Sequence, residues 1–224
     1  MGVFGERSRD AEVAAGGDQP SAAQRGPWGV DEVPEPGTRI DLGALWLPRR
    51  AGMELRMEVD KNTSIVTAVA AQMDGSSLQM QAFAAPRTTG IWDEVRVEIA
   101  ESVTKQGGSV DDLPGPFGRE LLARLPVRTP EGRTGSRPVR FIGHDGQRWF
   151  LRGVLSGHAA ADPDRARDLE EVFADVVVVR GPEPRVPRDL LPLTLPADSV
   201  PERPAPSGTS LDPFARGPEI TEVY

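Results

Sequence analysis

The chain lacks most of the side chains on which catalysis and soft-metal binding depend. It has no cysteine and only two histidines, His144 and His158, and its one tyrosine is Tyr224. The absence of cysteine excludes disulfides and thiolate-based metal or redox sites. No group of residues has the pattern of a catalytic centre or a metal site. We therefore predict no catalytic residue, no metal and no cofactor.

The net charge of −8 is concentrated at the two ends of the chain. Residues 1–37 and 181–224 are both acidic, whereas residues 38–180 are almost neutral. A neutral centre is a poor electrostatic match for nucleic acid or for an anionic membrane. No stretch approaches the about 18 apolar residues of a membrane span, and the start has no apolar signal core. We expect a cytoplasmic protein with no membrane association.

Composition divides the chain into four parts. Residues 1–37 mix small, polar and charged residues without periodicity, which predicts a disordered acidic segment, interrupted by Trp28 and Val30. Residues 38–181 are predicted to form a single domain. Residues 182–196 are rich in proline and leucine, so we expect an extended segment that docks on this domain. Residues 197–224 are predicted to be a disordered tail.

The central domain is predicted to be α+β. Patterns of period two predict strands over 39–42, 44–47, 54–60, 65–72 and 78–84, and later over 119–127, 137–143, 147–156 and 176–179. A period near four from Ile91 to Val103 predicts one helix, and Asp162-Pro163 begins a second. The strands follow one another as hairpins, including one at Asp74-Gly75. We therefore predict a mainly antiparallel sheet of about seven to eight strands with two packed helices.

The two histidines are the only candidates for acid–base chemistry. His144-Asp145 places an imidazole beside a carboxylate. Adjacent residues in a turn rarely aim at one target, and Asp-Gly is typical of a hairpin, so a structural turn is the favoured interpretation. The alternative is a hydrolase in which His144 or His158 meets a carboxylate from another element inside a pocket.

Other polar motifs have structural explanations. We interpret Asp111-Asp112 as part of a loop, Glu170-Glu171 as a helix surface, and Asp162 with Asp164 as a helix cap, because a metal site needs carboxylates from several elements. The loop 132–136 lacks the Gly-Lys-Ser/Thr ending of a phosphate-binding loop.

The late hairpin carries the most distinctive group of charges. With a three-residue loop over 144–146, Phe141 pairs with Trp149 on an apolar face. The opposite face then carries three arginines, which are the predicted ligand- or partner-binding residues: Arg140, Arg148 and Arg152. Such a group could hold a carboxylate, a phosphate or an acidic partner segment. The favoured interpretation of this face, however, is that these arginines form ion pairs with nearby acids.

Several segments together resemble a known family. They are residues 40–45 (IDLGAL), 78–86 (LQMQAFAAP), 90–96 (GIWDEVR), 146–154 (GQRWFLRGV) and 173–181 (FADVVVVRG). They resemble an actinobacterial family known as domain of unknown function 3710, over about residues 26–196. The Lys/Arg-rich start of many members is reduced here to Arg7 and Arg9. The resemblance implies an actinobacterial cytoplasmic protein, and it brings no known activity or site.

The order of elements is also similar to the Mog1/PsbP-like fold, an antiparallel sheet between helices, whose members mostly serve as binding or accessory proteins. The leading hypothesis is a non-enzymatic binding or accessory module with a protein partner. The alternatives are the hydrolase that uses His144 or His158, and a weak nucleic-acid or anion binder that uses the arginine-bearing sheet face.

Overall fold

The computed structural model describes residues 25–88, 90–128 and 134–195. The disorder predicted for the first 24 and the last 28 residues lies outside this part of the chain. The described strands are β1 (Trp28–Gly29), β2 (Ile40–Asp41), β3 (Leu45–Leu47), β4 (Glu54–Val59), β5 (Val66–Met73), β6 (Ser76–Ala84), β7 (Ser109–Gly115), β8 (Gly118–Arg128), β9 (Thr134–Gly146), β10 (Trp149–Gly157) and β11 (Val177–Val178). The helices are α1 (Trp92–Lys105) and α2 (Pro163–Ala174), and a short 3-10 turn (His158–Ala160) precedes α2.

The α+β prediction is confirmed by a large antiparallel sheet with a smaller sheet beside it. The large sheet has seven strands in the order β4-β5-β6-β10-β9-β8-β7. The small sheet has the order β1-β11-β3-β2, and its β1–β11 pair is parallel. The hairpin at Asp74-Gly75 is confirmed, since both residues have positive φ, as a tight two-residue turn requires.

Apolar residues cover both faces of the large sheet. Alternate residues of β6, from Leu78 to Ala84, point into one core together with α2 and the small sheet. The second core lies on the opposite face, where Ile99 and Val103 of α1 pack on residues such as Leu121 and Phe150. The two helices therefore cover opposite faces of one sheet, in agreement with the stripes that the sequence places on them.

The segments that flank the central domain also contribute to the fold. The segment around Trp28, where the sequence interrupts the disorder predicted for 1–37, docks on the domain as β1: Trp28 N–H donates to the Val176 carbonyl and Gly29 pairs with Val178. On the other side, Leu191 and Leu193 are buried, and Leu193 N–H donates to the Val66 carbonyl. Both segments thus lie against the cores that surround the large sheet.

Strand β7 is an element that the sequence interpretation missed. Asp111 and Asp112 were assigned to a loop, which is wrong, because both pair with β8 as part of an edge strand. Strand propensity gives little signal for a stretch so rich in aspartate. Ion pairs with β8 compensate: Asp111 contacts Arg124 at 2.5 Å and Asp112 contacts Arg119 at 2.7 Å.

The register of the late hairpin also differs from the prediction. Its loop has two residues, Gln147 and Arg148, so Trp149 pairs with Gly146 and Arg152 with Gly143. Steric constraints at two glycines explain this register. A Cβ at Gly146 would collide with the Trp149 ring, and a Cβ at Gly143 would collide with the indole of Trp92. Two glycines on β9 therefore make room for two tryptophans, and this pairing determines which side chains share a face.

Candidate functional site

The three predicted binding arginines do not share a face, so that part of the prediction is wrong. In the observed register Arg140 lies on the α2 face, Arg152 lies on the α1 face and Arg148 occupies the turn. Arg140 is 7% exposed and Arg152 is 5% exposed, whereas Arg148 is half-buried. The expectation that they bind a ligand or partner stays a prediction.

Arg140 belongs to a buried charged cluster. It donates to Glu120 of β8 at 3.2 Å and to Glu170 of α2 at 2.6 Å. The cluster has two carboxylates for one guanidinium group. Burial raises the pKa of Glu120 and the charge of Glu170 adds to this effect, although Arg140 opposes it. The cluster therefore joins helix α2 to the sheet.

Arg152 is held on the other face. Its guanidinium donates to the side-chain oxygen of Gln81, its cross-strand neighbour on β6, and lies 5.4 Å from the centre of the Phe83 ring. A planar cation over an aromatic face, with a hydrogen bond at its edge, is a stable arrangement inside a protein. Arg152 thus contributes to packing beneath α1.

The histidines have no carboxylate partner among the described residues. His144 is half-buried, and its ring centre lies 5.8 Å from that of Trp149. Burial lowers the pKa of His144, and Asp145 and Glu32 partly oppose this. The Asp145 carboxylate is engaged elsewhere, because it accepts hydrogen bonds from the backbone of Ile91 and Trp92. His158 is exposed in the 3-10 turn before α2.

The described part of the chain contains no group of three or more histidine, aspartate or glutamate side chains placed to hold a metal ion. Neither histidine there forms the hydrogen bond to a carboxylate that the hydrolase hypothesis requires. The hydrolase hypothesis for His144 or His158 therefore stays a prediction.

Three backbone segments meet at one end of the large sheet. Ala85 N–H, just after β6, donates to the Arg148 carbonyl in the β9–β10 turn at 2.9 Å. Arg188 N–H, in the segment after β11, donates to the Ala84 carbonyl at 2.8 Å, and Ala84 N–H donates to the Asp189 carbonyl. The three segments consequently lie side by side although they are far apart in the sequence.

These segments carry four arginines that we call the arginine end: Arg87, Arg148, Arg180 and Arg185. Arg87 and Arg185 are exposed, whereas Arg148 and Arg180 are half-buried. Partial burial lowers the pKa of Arg180, and so does repulsion from the other three arginines. Arg87, Arg148 and Arg185 thus each act electrostatically on Arg180.

Arg180 is fixed in place by its own backbone contacts. Its Nη1 donates to the carbonyl oxygens of Gly181 and Glu183 at 2.9 Å and 2.7 Å. Its Nε is buried without a hydrogen-bond partner among the described residues. A guanidinium held by carbonyl groups keeps its full positive charge, because no carboxylate neutralises it.

The described arginines differ in whether they pair with acids, and Arg25, Arg39, Arg49, Arg56 and Arg137 form no ion pair with a described acidic residue. None of the four residues of the arginine end forms an ion pair with a described acidic residue. The described arginines that do form ion pairs are Arg50, Arg96, Arg119, Arg124, Arg140, Arg165, Arg167 and Arg188. Arg188 is a close contrast, because it belongs to the same segment as Arg185 and contacts Glu94 and Glu98 of α1.

A cleft of about 450 Å³ lies at the β9–β10 hairpin. One wall comes from the segment around Arg25 and Trp28, and the other from the hairpin, including His144, Gln147 and Trp149. Three acids also line it, Asp31, Glu32 and Asp145, and no member of the arginine end does. A second cleft, of about 460 Å³, lies between α1 and β7 and has an apolar lining that includes Val97 and Val110.

Sequence patterns indicate only one member of the arginine end. Arg148 was found because it belongs to the hairpin. Arg87, Arg180 and Arg185 come from irregular segments without periodicity, so no pattern indicated that they would meet. Only the pairing of β6 with β10 and the path of the segment after β11 bring them together.

These features define an α+β protein in which two helices cover opposite faces of a seven-stranded antiparallel sheet. The chain belongs to the family described as a protein of unknown function, DUF3710, whose model matches residues 26–202. A search of the curated proteins and a search of the solved structures give no match. The likeness to the Mog1/PsbP-like fold and the actinobacterial origin therefore stay predictions. Neither described helix is long and apolar enough to cross a membrane.

Proposed function

We propose that this protein is a non-enzymatic, cytoplasmic binding module that holds an acidic segment of a protein partner at its arginine end. The observation that supports this proposal is the convergence of Arg87, Arg148, Arg180 and Arg185, none of which forms an ion pair with a described acidic residue. Like charges held together are unfavourable unless an anion joins them. Guanidinium groups suit carboxylates because they donate paired hydrogen bonds in one plane.

The proposal gives different roles to the arginines of the late hairpin. Arg148 presents its charge at the surface of the turn and contacts the partner. Arg140 and Arg152 act within the protein, where they bind Glu120, Glu170 and Gln81. Their contribution to binding is indirect, since they stabilise the sheet that places the β9–β10 turn.

An acidic peptide suits this surface better than nucleic acid does. The arginine end is a compact group of four cations, whereas a nucleic acid strand calls for a longer positive stripe along its phosphates. The surroundings are also acidic, because Glu183 and Asp189 lie in the same segment as Arg185. These acids limit the positive charge to a small area, which a short acidic segment can cover.

The test measures binding of a fluorescent peptide of about ten glutamates to the full chain at low salt. The variant Arg148→Glu/Arg185→Glu reverses two charges and leaves Arg180 with its carbonyl contacts. We expect its affinity to fall at least about tenfold, because charge reversal replaces attraction by repulsion. Affinity of the wild type should fall steeply with added salt, since the contacts are exposed.

The matched control is Arg56→Glu/Arg137→Glu, which makes the same change in net charge at two exposed arginines of β4 and β9. It should bind within about twofold of the wild type. Equal losses in both variants would assign binding to net charge and would refute a specific surface. A single-stranded oligonucleotide of equal charge that binds the arginine end more tightly than the peptide would refute a protein partner.

A further inference from the structure

Strand β4 lies at one edge of the large sheet, where β5 is its only partner among the described strands. Asp60 N–H, directly after β4, donates to the carbonyl of Ile65. The carbonyl of Glu58 accepts from the hydroxyl of Thr67 on β5 at 3.4 Å. Because the direction of the backbone groups alternates along an antiparallel strand, three residues of β4 direct theirs away from β5: Leu55, Met57 and Val59. This row of donors and acceptors is available to another strand.

The opposite edge of the sheet, strand β7, is protected against such pairing. It contains Pro114, which has no N–H to donate, and the adjacent Asp111 and Asp112. A second β7 beside it would bring aspartates together. Strand β4 has no proline, and its charges alternate in sign along the strand: Glu54, Arg56 and Glu58. Of the two edges, β4 is therefore the one that suits an added strand.

The side chains of β4 complement those of a second, antiparallel β4 in one register. With Met57 on the twofold axis, Leu55 lies opposite Val59 of the second copy, and Arg56 lies opposite Glu58 of the second copy. Directly opposed apolar residues and opposite charges stabilise a strand pair, whereas like charges destabilise it. Moving the axis by one residue would place Arg56 opposite Arg56, or Glu58 opposite Glu58. An axis between two residues is excluded by the alternation of the backbone groups, so only the register about Met57 fits.

We infer that two copies of the chain form a symmetric dimer through β4. The two strands pair in antiparallel orientation about Met57, so that two seven-stranded sheets continue into one. None of the residues of the arginine end lies in β4. The inference is therefore independent of the proposed function, and dissociation of the dimer leaves the arginine end unchanged.

The side chains at this edge suit the contacts of the dimer. Val59 is 48% exposed, which is high for a large apolar residue of a strand. Arg56 is also exposed and has no ion pair with a described acidic residue. One oxygen of the Glu58 carboxylate accepts from the Gln79 side chain, which leaves the other for Arg56 of the second copy. The dimer thus covers an apolar side chain and gives a cation its partner.

The ends of β4 limit how far the pairing extends. Glu54 would face Asp60 of the second copy, which is unfavourable. The Asp60 carboxylate accepts from Asn62 N–H at 2.8 Å and from Thr63 N–H at 2.9 Å, so it belongs to the turn after β4. The paired stretch is therefore residues 55–59. A strand pair of this length is smaller than a standard interface, so we expect a weak dimer with a Kd on the order of 10–100 µM.

Sedimentation of the full chain at low salt, over about 5–500 µM, measures the dimer. We expect the wild type to change from monomer to dimer across this range. Arg56→Glu and Glu58→Arg should each weaken the dimer at least about tenfold, because like charges then face each other across the two strands. The double variant Arg56→Glu/Glu58→Arg restores opposite charges in the same register, and it should dimerise within about threefold of the wild type.

A mixture of the two single variants tests the register directly. One variant has acids at both positions 56 and 58 and the other has arginines at both, so opposite charges meet throughout the mixed strand pair. We expect the two variants to form a mixed dimer at least as tightly as the wild type forms its own. Unfolded variants would not associate in this way, so recovery in the mixture also shows that each variant is folded.

The matched control is Arg137→Glu, which reverses the charge of an exposed arginine on β9, an inner strand of the sheet. It should dimerise like the wild type. A wild-type chain that stays monomeric at the highest concentration would overturn the inference. A dimer that neither single variant weakens, or that neither the double variant nor the mixture restores, would overturn it as well, because association would then use another surface.

Discussion

The carboxylate of Asp145 caps the helix that begins at Trp92. It accepts a hydrogen bond from Trp92 N–H at 3.1 Å and one from Ile91 N–H at 2.8 Å. Ile91 occupies the N-cap position and has no side chain that could satisfy these donors. A residue of the β9–β10 hairpin therefore starts helix α1 from more than 50 positions away in the sequence.

We expect Asp145→Ala to destabilise the protein by about 1–2 kcal/mol, because two buried N–H groups lose their acceptor. Asp145→Asn should lose less, since an asparagine oxygen can accept the same bonds. The free energy of unfolding in urea measures both effects. Asp31→Ala is the control, because Asp31 is an exposed aspartate that lines the same cleft as Asp145. A loss in the control as large as that of Asp145→Ala would contradict the capping role.

The caps of the two helices show which hydrogen bonds can be predicted from the sequence and which cannot. Helix α2 has a local cap, since Asp162 directly precedes Pro163 and accepts from Asp164 N–H at 3.0 Å, and the sequence predicted it. The cap of α1 is distant, so Asp145 was interpreted only as a turn residue. Local hydrogen bonds leave a pattern in the sequence, whereas distant ones depend on the fold.

The register of the β9–β10 hairpin shows the same limit of sequence-based prediction. Both a two-residue and a three-residue loop give plausible patterns, and segregation of charge favoured the wrong one. What decides the register is steric: the Trp149 ring covers Gly146, and the Trp92 ring, from a helix on one face, covers Gly143. A sequence pattern along two strands contains no information about a tryptophan that arrives from another element. The arginine end could not be predicted either, because only the fold brings its segments together.

Arg140 should be among the residues most important for stability. We expect Arg140→Met to cost about 3–5 kcal/mol, because it leaves Glu120 and Glu170 buried without a cation. Adding Glu120→Gln and Glu170→Gln should recover most of this loss, since no uncompensated charge remains. Chemical denaturation of the single and triple variants gives the coupling energy. Losses that simply add would contradict a coupled cluster.

Glu120 should make stability depend on pH. Burial raises the pKa of Glu120 above its usual 4.5, so the folded protein keeps this proton to a higher pH than the unfolded chain does. Stability that Glu120 contributes is therefore present below pH 4.5 and is lost as the pH rises through the raised pKa. We expect Glu120→Gln to gain stability relative to the wild type between pH 4.5 and 8, as measured by unfolding at each pH.

Three groups face Glu120, and Asp60, elsewhere in the fold, serves as the control for this pH experiment. They are Arg140 on β9 and Glu170 on α2, and Gly115 on β7 lies against its second oxygen. The pKa of Asp60 is lowered by hydrogen bonds from the backbone of Thr63 and Asn62, so its contribution to stability changes with pH in the opposite direction. Asp60→Asn should therefore lose stability relative to the wild type as the pH rises. Identical pH profiles for Glu120→Gln and the wild type would contradict the raised pKa.

His144 should also make stability depend on pH, in the acidic range and with the opposite sign to Glu120. Burial lowers the pKa of His144 below 6.5, although Asp145 and Glu32 partly oppose this, so the unfolded chain takes up a proton before the folded protein does. Stability is then lost as the pH falls from about 6.5 through the lowered pKa. We expect His144→Gln to lose less stability than the wild type between pH 7.5 and 5. Thermal unfolding across this range compares the two proteins. A His144→Gln profile parallel to that of the wild type would mean that the imidazole is as accessible to protons in the fold as in the unfolded chain, and that the cleft beside Trp149 does not shield it.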